Sequence, residues 1–235
     1  MKILFTIVFI LTFTACSDEE SYEVIFPEKV FIEFNWCSYE PSKEADDLGK
    51  VFIDYRNFLD SDNFYATYLN PIFQVKNYDF ILMESFKNKE VFQSNLQDKE
   101  SFFYKRWKSN FDNTAKCNEL NKQYFYERSN SNLEELNKKG AELQFLFCKK
   151  LDNVSINQIL DNLQLLQIDN TKNVFILTPE VFNDYYDYLF VISNNNDDIF
   201  EGEILLNNIG FLVNCDLNFK GENFNQLIFE SYPLI

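Results

Sequence analysis

VFIEFNWC at residues 30–37 is answered by AELQFLFC at residues 141–148. Each segment is rich in β-formers and ends in a cysteine. The downstream segments also recur: YLNPIFQVKNYDFILMES (68–85) resembles ILTPEVFNDYYDYLFVIS (176–193), with the same spacing from Pro71 to Tyr78 and from Pro179 to Tyr186. The first copy then has a lone Cys117 and the second a lone Cys215. A repeat of this length is a duplication on the scale of a domain, too long for a solenoid unit.

Each copy reads as strand, helix, strand, strand, helix, strand. In the first, residues 30–37 alternate as a strand. Ser42 is placed to cap a helix carrying Leu48, Val51, Phe52, Tyr55 and Leu59 on one face. Strands are predicted at 65–73 and 78–86, a helix at 89–109 and a last strand at 114–126. The second copy predicts strands at 142–149, 174–181, 188–193 and 211–219, with helices at 155–167 and 198–209. This is the order of the ferredoxin-like split βαβ motif. Two such halves in one chain resemble the dimeric α/β-barrel superfamily in fused form, with two sheets packed face to face. That resemblance implies α+β architecture: two tandem ferredoxin-like (βαββαβ) repeats, at 29–130 and 141–235, joined by a linker at 131–140 and packed as one pseudo-symmetric body.

The first residues, MKILFTIVFILTFTAC, place Lys2 before an apolar run too short to serve as a comfortable membrane span, then small residues before Cys16. The segment resembles a bacterial lipoprotein signal peptide, with Phe13-Thr14-Ala15-Cys16 at the lipobox. The resemblance implies a signal peptide at 1–15, cleavage before Cys16, lipid on that cysteine and a polar tether at 16–28. Several acyl chains on one residue anchor a protein stably. Ser17 at the next position implies outer-membrane sorting, and hence a location in the bacterial cell envelope facing the periplasm or the cell surface. A dozen extended residues reach about 40 Å, so the folded part stays near the membrane.

With Cys16 assigned to lipid, four of the five cysteines remain, in a compartment that permits disulfides. The repeat selects Cys37 with Cys117 and Cys148 with Cys215 from the three possible pairings. Free thiols are the alternative. A zinc site is disfavoured, because no CxxC pair and no histidine occur in the chain.

The net charge of −16 becomes one unit more negative when Lys2 leaves with the leader. Such a chain repels phosphate backbones, which argues against nucleic acid as a partner. It also repels anionic lipid, so only the lipid anchor argues for a membrane partner. The absence of histidine removes the proximal ligand that barrel haem enzymes use, and with it Ser-His-Asp and Cys-His nucleophiles. No GxGxxG, P-loop or GxSxG is present. The expectation is therefore no cofactor.

The polar strand residues remain. Glu33 and Gln144 each precede their cysteine by the same interval, and Glu84 lies on the third strand. A carboxylate in a pocket between the sheets is able to act as a base, whereas a solvated or interface position is the ordinary alternative. Asp79 and Asp187 come directly after the repeated tyrosines and read as turn residues. Pro71 and Pro179 read as strand ends. The stretch NNNDD (194–198) reads as a helix cap rather than a calcium loop, and Trp36 and Trp107 read as core. These features support two functions. The first is a non-enzymatic, envelope-anchored scaffold that binds a small molecule or an envelope protein. The second is a cofactor-independent oxygenase or isomerase acting on a small aromatic or carbonyl compound through Glu33 or Glu84.

The anchor has a direct test. Cys16→Ser is expected to abolish membrane fractionation of the mature-sized protein. Retention of that variant in membranes at mature size would sink the lipoprotein reading.

Overall fold

The computed structural model describes residues 30–56, 64–73, 77–97, 102–118, 123–127, 139–167, 172–181, 184–194, 209–216 and 228–234. The leader, the tether and most of the helix expected at 198–209 lie outside the described residues, as does most of the NNNDD stretch.

Ten strands and four helices lie among the described residues. The strands are β1 Phe31–Tyr39, β2 Phe64–Pro71, β3 Phe80–Phe86, β4 Ala115–Cys117, β5 Gln123–Glu127, β6 Glu142–Lys150, β7 Lys172–Pro179, β8 Tyr188–Asn194, β9 Val213–Asp216 and β10 Ile228–Pro233. The helices are α1 Ala45–Arg56, α2 Lys89–Gln97, α3 Phe102–Asp112 and α4 Ile156–Gln167. Eight strands run in the order β10-β2-β3-β1-β5-β7-β8-β6, and β10 pairs with β6 to close the ring. Every pairing is antiparallel. β4 and β9 lie off the ring, beside the ends of β1 and β6.

This closed antiparallel barrel overturns the expected pair of tandem ferredoxin-like repeats. The expectation required two separate sheets facing each other. Instead, β5 joins β1 of its own half to β7 of the other, and β10 joins β6 to β2 in the same way. The departure begins at the fourth strands. In place of the single strand expected at 114–126 stand two separate pieces, β4 and β5. Of the last strand expected at 211–219, the described residues hold β9. The strand that closes the barrel, β10, has no counterpart among the expected elements.

The strand pattern explains why the barrel closes. On β1, Ile32, Phe34 and Trp36 point into the barrel, while Phe31 and Cys37 point out. Strands apolar on both faces need cover on both sides. The inner faces of the two halves cover each other in one cluster that includes Phe34, Met83, Phe125, Phe145, Phe175 and Phe229. Helices cover the outer faces. Leu48, Val51 and Phe52 of α1 and Trp107 and Phe111 of α3 pack on half one, and Ile159 and Leu163 of α4 pack on half two.

Local signals place the helices. Ser155 and Gln158 form a reciprocal capping box on α4, with Gln158 N donating to Ser155 Oγ (3.3 Å) and Ser155 N to Gln158 Oε1 (2.8 Å). Asn88 Oδ1 accepts from Val91 N at the start of α2 (2.9 Å). Ser42 does not cap α1. It lies ahead of the helix at φ 67°, and Asn153 holds the matching place before α4 at φ 65°. Asn tolerates this left-handed region better than most residues. Of the helix expected at 89–109, the described residues hold α2 and the first part of α3.

The shared interior predicts where stability resides. Phe34→Ala is expected to cost about 3–5 kcal/mol, because a large buried ring leaves a cavity. Ile53→Ala, on the exposed side of α1, is expected to change stability by no more than about 0.5 kcal/mol. Urea unfolding of both variants measures the contrast.

Candidate functional site

The strand register decides where the three candidate residues point. Glu33, Asn35 and Cys37 share the outer face of β1, and Glu33 stands directly opposite Glu84 of β3. The expected pocket between two sheets is thus corrected: these groups face the helix layer of half one, not the interior shared by the halves. Glu33 is 4 % exposed and Glu84 partly buried. Asn35 Nδ2 donates to Glu84 Oε2 at 3.4 Å. Glu33 is also flanked by Tyr124 of β5, and Glu84 by Ala66 of β2.

Aromatic rings surround this polar centre. Phe31, Phe92, Tyr124 and Tyr126 form a connected group, with Phe31–Phe92 centroids at 4.8 Å and Phe31–Tyr124 at 5.7 Å. Towards the barrel end reached by β1, Tyr39 OH donates to Tyr68 OH at 3.0 Å, and Tyr68 OH donates to Asn70 Oδ1 at 3.2 Å. Burial, reinforced by the bond to Tyr68, holds the Tyr39 phenol well above its usual range. Burial also raises Tyr68, with Asp79 adding to the shift and the bond from Tyr39 opposing it. Sequence reading did not single out these two tyrosines. The signal was a Tyr on each of two strands, hidden among thirteen tyrosines in the chain.

Half two differs at the same positions. Gln144 is 6 % exposed on the outer face of β6, between Ile192 of β8 and Ile228 of β10. Leu146 stands where half one has Asn35, and Ile192 where it has Glu84. The structure therefore brings Glu33 and Glu84 together and leaves Gln144 under a separate, apolar helix layer.

The repeated aspartates are structural. Asp79 Oδ2 accepts from Tyr39 N (2.8 Å), and Asp187 Oδ2 accepts from Lys150 N (2.9 Å). Each backbone N–H returns the link, from Asp79 to Cys37 O and from Asp187 to Cys148 O. Pro71 and Pro179 end β2 and β7 where the halves join, opposite Phe229 and Phe125. The next residues, Ile72 and Glu180, resume donation to Ile228 O and Tyr124 O (2.9 Å each). Trp36 and Trp107 are buried in the core. The disulfides are Cys37–Cys117 and Cys148–Cys215.

No protein-family model matches the chain, and no curated protein is similar to it in sequence. Solved structures are similar in fold. A crystal structure provisionally identified as a chlorite dismutase superposes with a TM-score of 0.54 at 9 % identity, covering 88 % of this chain and 96 % of that one. An arginine-substituted chlorite dismutase from Candidatus Nitrospira defluvii gives 0.51 at 9 % identity, covering 88 % and 94 %. A second substituted form from that organism gives 0.51 at 10 % identity, covering 89 % and 93 %. The fold is chlorite dismutase-like. At such identities the likeness concerns fold alone, and it takes the place of the tandem ferredoxin-like expectation.

Haem iron is held most often by histidine, and also by cysteine, methionine or tyrosine. There is no histidine in the sequence. All four described cysteines are in disulfides. Met83 is sealed in the barrel interior. The outer face of half two is filled by Leu146, Phe190 and Ile192 packed with Ile159 and Leu163. No cluster of metal-binding side chains occurs among the described residues.

The tyrosine pair carries a pH prediction. Its ionisation is pushed upward in the folded state, so its contribution is complete below about pH 10, the usual value for an unfolded tyrosine. Above that, the unfolded chain loses its protons first and stability falls. Tyr39→Phe is expected to flatten this alkaline decline, as read from urea midpoints between pH 8 and 11.

Proposed function

We propose that the protein is a lipid-anchored envelope scaffold that binds a small molecule or a partner, with the polar centre on the outer sheet face of half one as its ligand site. The observation that carries this reading is the opposed pair Glu33 and Glu84 beneath the helix layer. Two carboxylates side by side are complementary to a ligand bearing an amine or several N–H donors, and the neighbouring rings of Phe31, Phe92 and Tyr124 offer faces to a cation. The charge of −16 favours such a ligand and disfavours nucleic acid. Chlorite dismutase activity is not part of the proposal, because the chain has no histidine to hold haem iron.

One observation keeps an enzymatic reading in play. Two carboxylates facing each other across adjacent strands are suited to passing a proton, as a cofactor-independent oxygenase or isomerase requires. Glu33 or Glu84 is the base in that reading, and a small aromatic or carbonyl compound the substrate.

Native mass spectrometry of protein purified from the envelope tests both. A co-purifying cationic or amine-bearing molecule is expected. Glu33→Gln and Glu84→Gln are expected to weaken its binding about tenfold or more each while the fold persists, the scale of a lost charged hydrogen bond. Unchanged binding in both variants would defeat the polar centre as the site. Turnover of the ligand that disappears in one variant would establish the enzyme instead.

A further inference from the structure

We infer that one end of the barrel is a lipid-docking surface that rests on a zwitterionic bilayer. Nine large apolar side chains are exposed among the described residues, and six of them lie at this end. Because β1, β2, β6 and β7 run in the same direction around the ring, the chain leaves all four at one end. Ile72 and Phe73 come after β2, Leu151 after β6, and Val181 and Tyr185 after β7. Phe211 precedes β9, whose Val213 pairs with Lys150 at the tip of β6. Val181 is 73 % exposed, Tyr185 81 % and Phe211 62 %. The other three, Ile53, Phe102 and Phe103, lie on α1 and α3.

The residues of half two form one connected rim. Leu151 N donates to Leu212 O (2.9 Å), beside Phe211. Lys149 Nζ donates to Asp184 O (3.0 Å), beside Tyr185. An apolar concentration of this kind marks an interaction surface. Its form is a set of separate side chains on loop tips, with a tyrosine and the exposed Lys149 and Lys150 among them. Such side chains suit the boundary between acyl chains and headgroups, where rings and lysine stems bury their apolar parts and keep their polar ends wet.

Charge and reach select the occupant. The net charge of −16 opposes an anionic leaflet, and it also opposes a second copy of the chain. A zwitterionic surface carries neither penalty. The membrane is at hand if the anchor reading holds, and the inference rests on that reading for this point alone. The tether enters the fold at Val30, at the opposite barrel end, yet its reach of about 40 Å exceeds the roughly 30 Å of a nine-residue strand. The chain is therefore long enough to run back along the barrel and let the loop end meet the bilayer.

The test uses the chain from Ser17 onward, which has no lipid, and phosphatidylcholine vesicles. Co-sedimentation is expected for the wild-type chain. Val181→Ser/Tyr185→Ser/Phe211→Ser is expected to reduce the bound fraction about tenfold or more, given the methylene groups withdrawn from the membrane. Ile53→Ser/Phe103→Ser, on the helices, is expected to bind as wild type does. Circular dichroism melts establish that each variant is folded. No binding by the wild-type chain overturns the inference, as does equal loss in both variants. Self-association of the wild-type chain that the triple variant abolishes also overturns it, assigning the surface to a second copy. Failure of the Cys16 anchor would show in cell fractionation and leave the vesicle result standing.

Discussion

Phe34 and Phe145 meet edge to face at the centre of the barrel, with ring centroids 5.3 Å apart, and the closed ring is built around that contact. They hold equivalent places in the two halves, so the contact lies where the halves exchange surfaces. Phe34 reaches on to Phe125 (5.5 Å) and Phe145 to Phe229 (4.9 Å). Phe125 then stacks on Tyr186 of the other half, and Phe229 lies against Tyr78. Each half thus lends a fourth-strand phenylalanine to a tyrosine of its partner half. Aromatic pairs of this kind contribute about 0.5–1.5 kcal/mol each beyond the area they bury. Neither half completes its own interior, and this explains why the fourth strands bridge the halves.

That mutual constraint falls on the inner face only. Trp36 against Tyr78 (4.7 Å) is repeated as Phe147 against Tyr186 (4.9 Å), so the interior changes little between the copies. The outer faces answer only to their own helices, and they have diverged. Half one holds Glu33, Asn35 and Glu84, where half two holds Gln144, Leu146 and Ile192. The two glutamates and the asparagine are confined to one half of the barrel, and the proposed ligand site rests on this asymmetry. A group on the outer face can be altered without unseating the core, which is what a binding site on a duplicated scaffold needs.

The sequence disclosed those features that are local or repeated. The cysteine spacing pointed to both disulfides, since only one pairing keeps each bond within its own copy. Alternation in β1 put Glu33 on the face opposite Phe34 and Trp36. It did not say whether that face meets the other half or the helices. Both layers are apolar, and strand periodicity is blind to the identity of the cover. The closing strand was missed for a related reason. In IFESYP only Phe229 marks the inward face strongly, and Ser231 inside the barrel reads as solvent-facing. Barrel closure is a long-range property, and no local pattern distinguishes a strand that ends a sheet from one that joins two.

The disulfides take their meaning from closure. β1 pairs with β5 through its first residues and with β4 beyond Cys37. β7, the neighbour of β5 on the far side, ends at Pro179. Only three residues of β4 are paired, to β1, and β9 is held in the same way to the tip of β6. Such short ladders supply few hydrogen bonds, and the chain between each cysteine pair is long, with separations of 80 and 67 residues. A cross-link closing a loop of that length contributes about 2–4 kcal/mol by restricting the unfolded chain. On the opposite side of each arm, Asp79 and Asp187 grip the backbone of Tyr39 and Lys150. Each protruding arm is therefore clamped from both sides, by sulfur on one and by carboxylate on the other. The arm of half two carries Leu151 and Phe211 at the exposed barrel end, so its covalent clamp holds steady the part of the apolar rim that those residues form. A clamp of this chemistry persists best where thiols are oxidised, the condition that the proposed envelope location would supply.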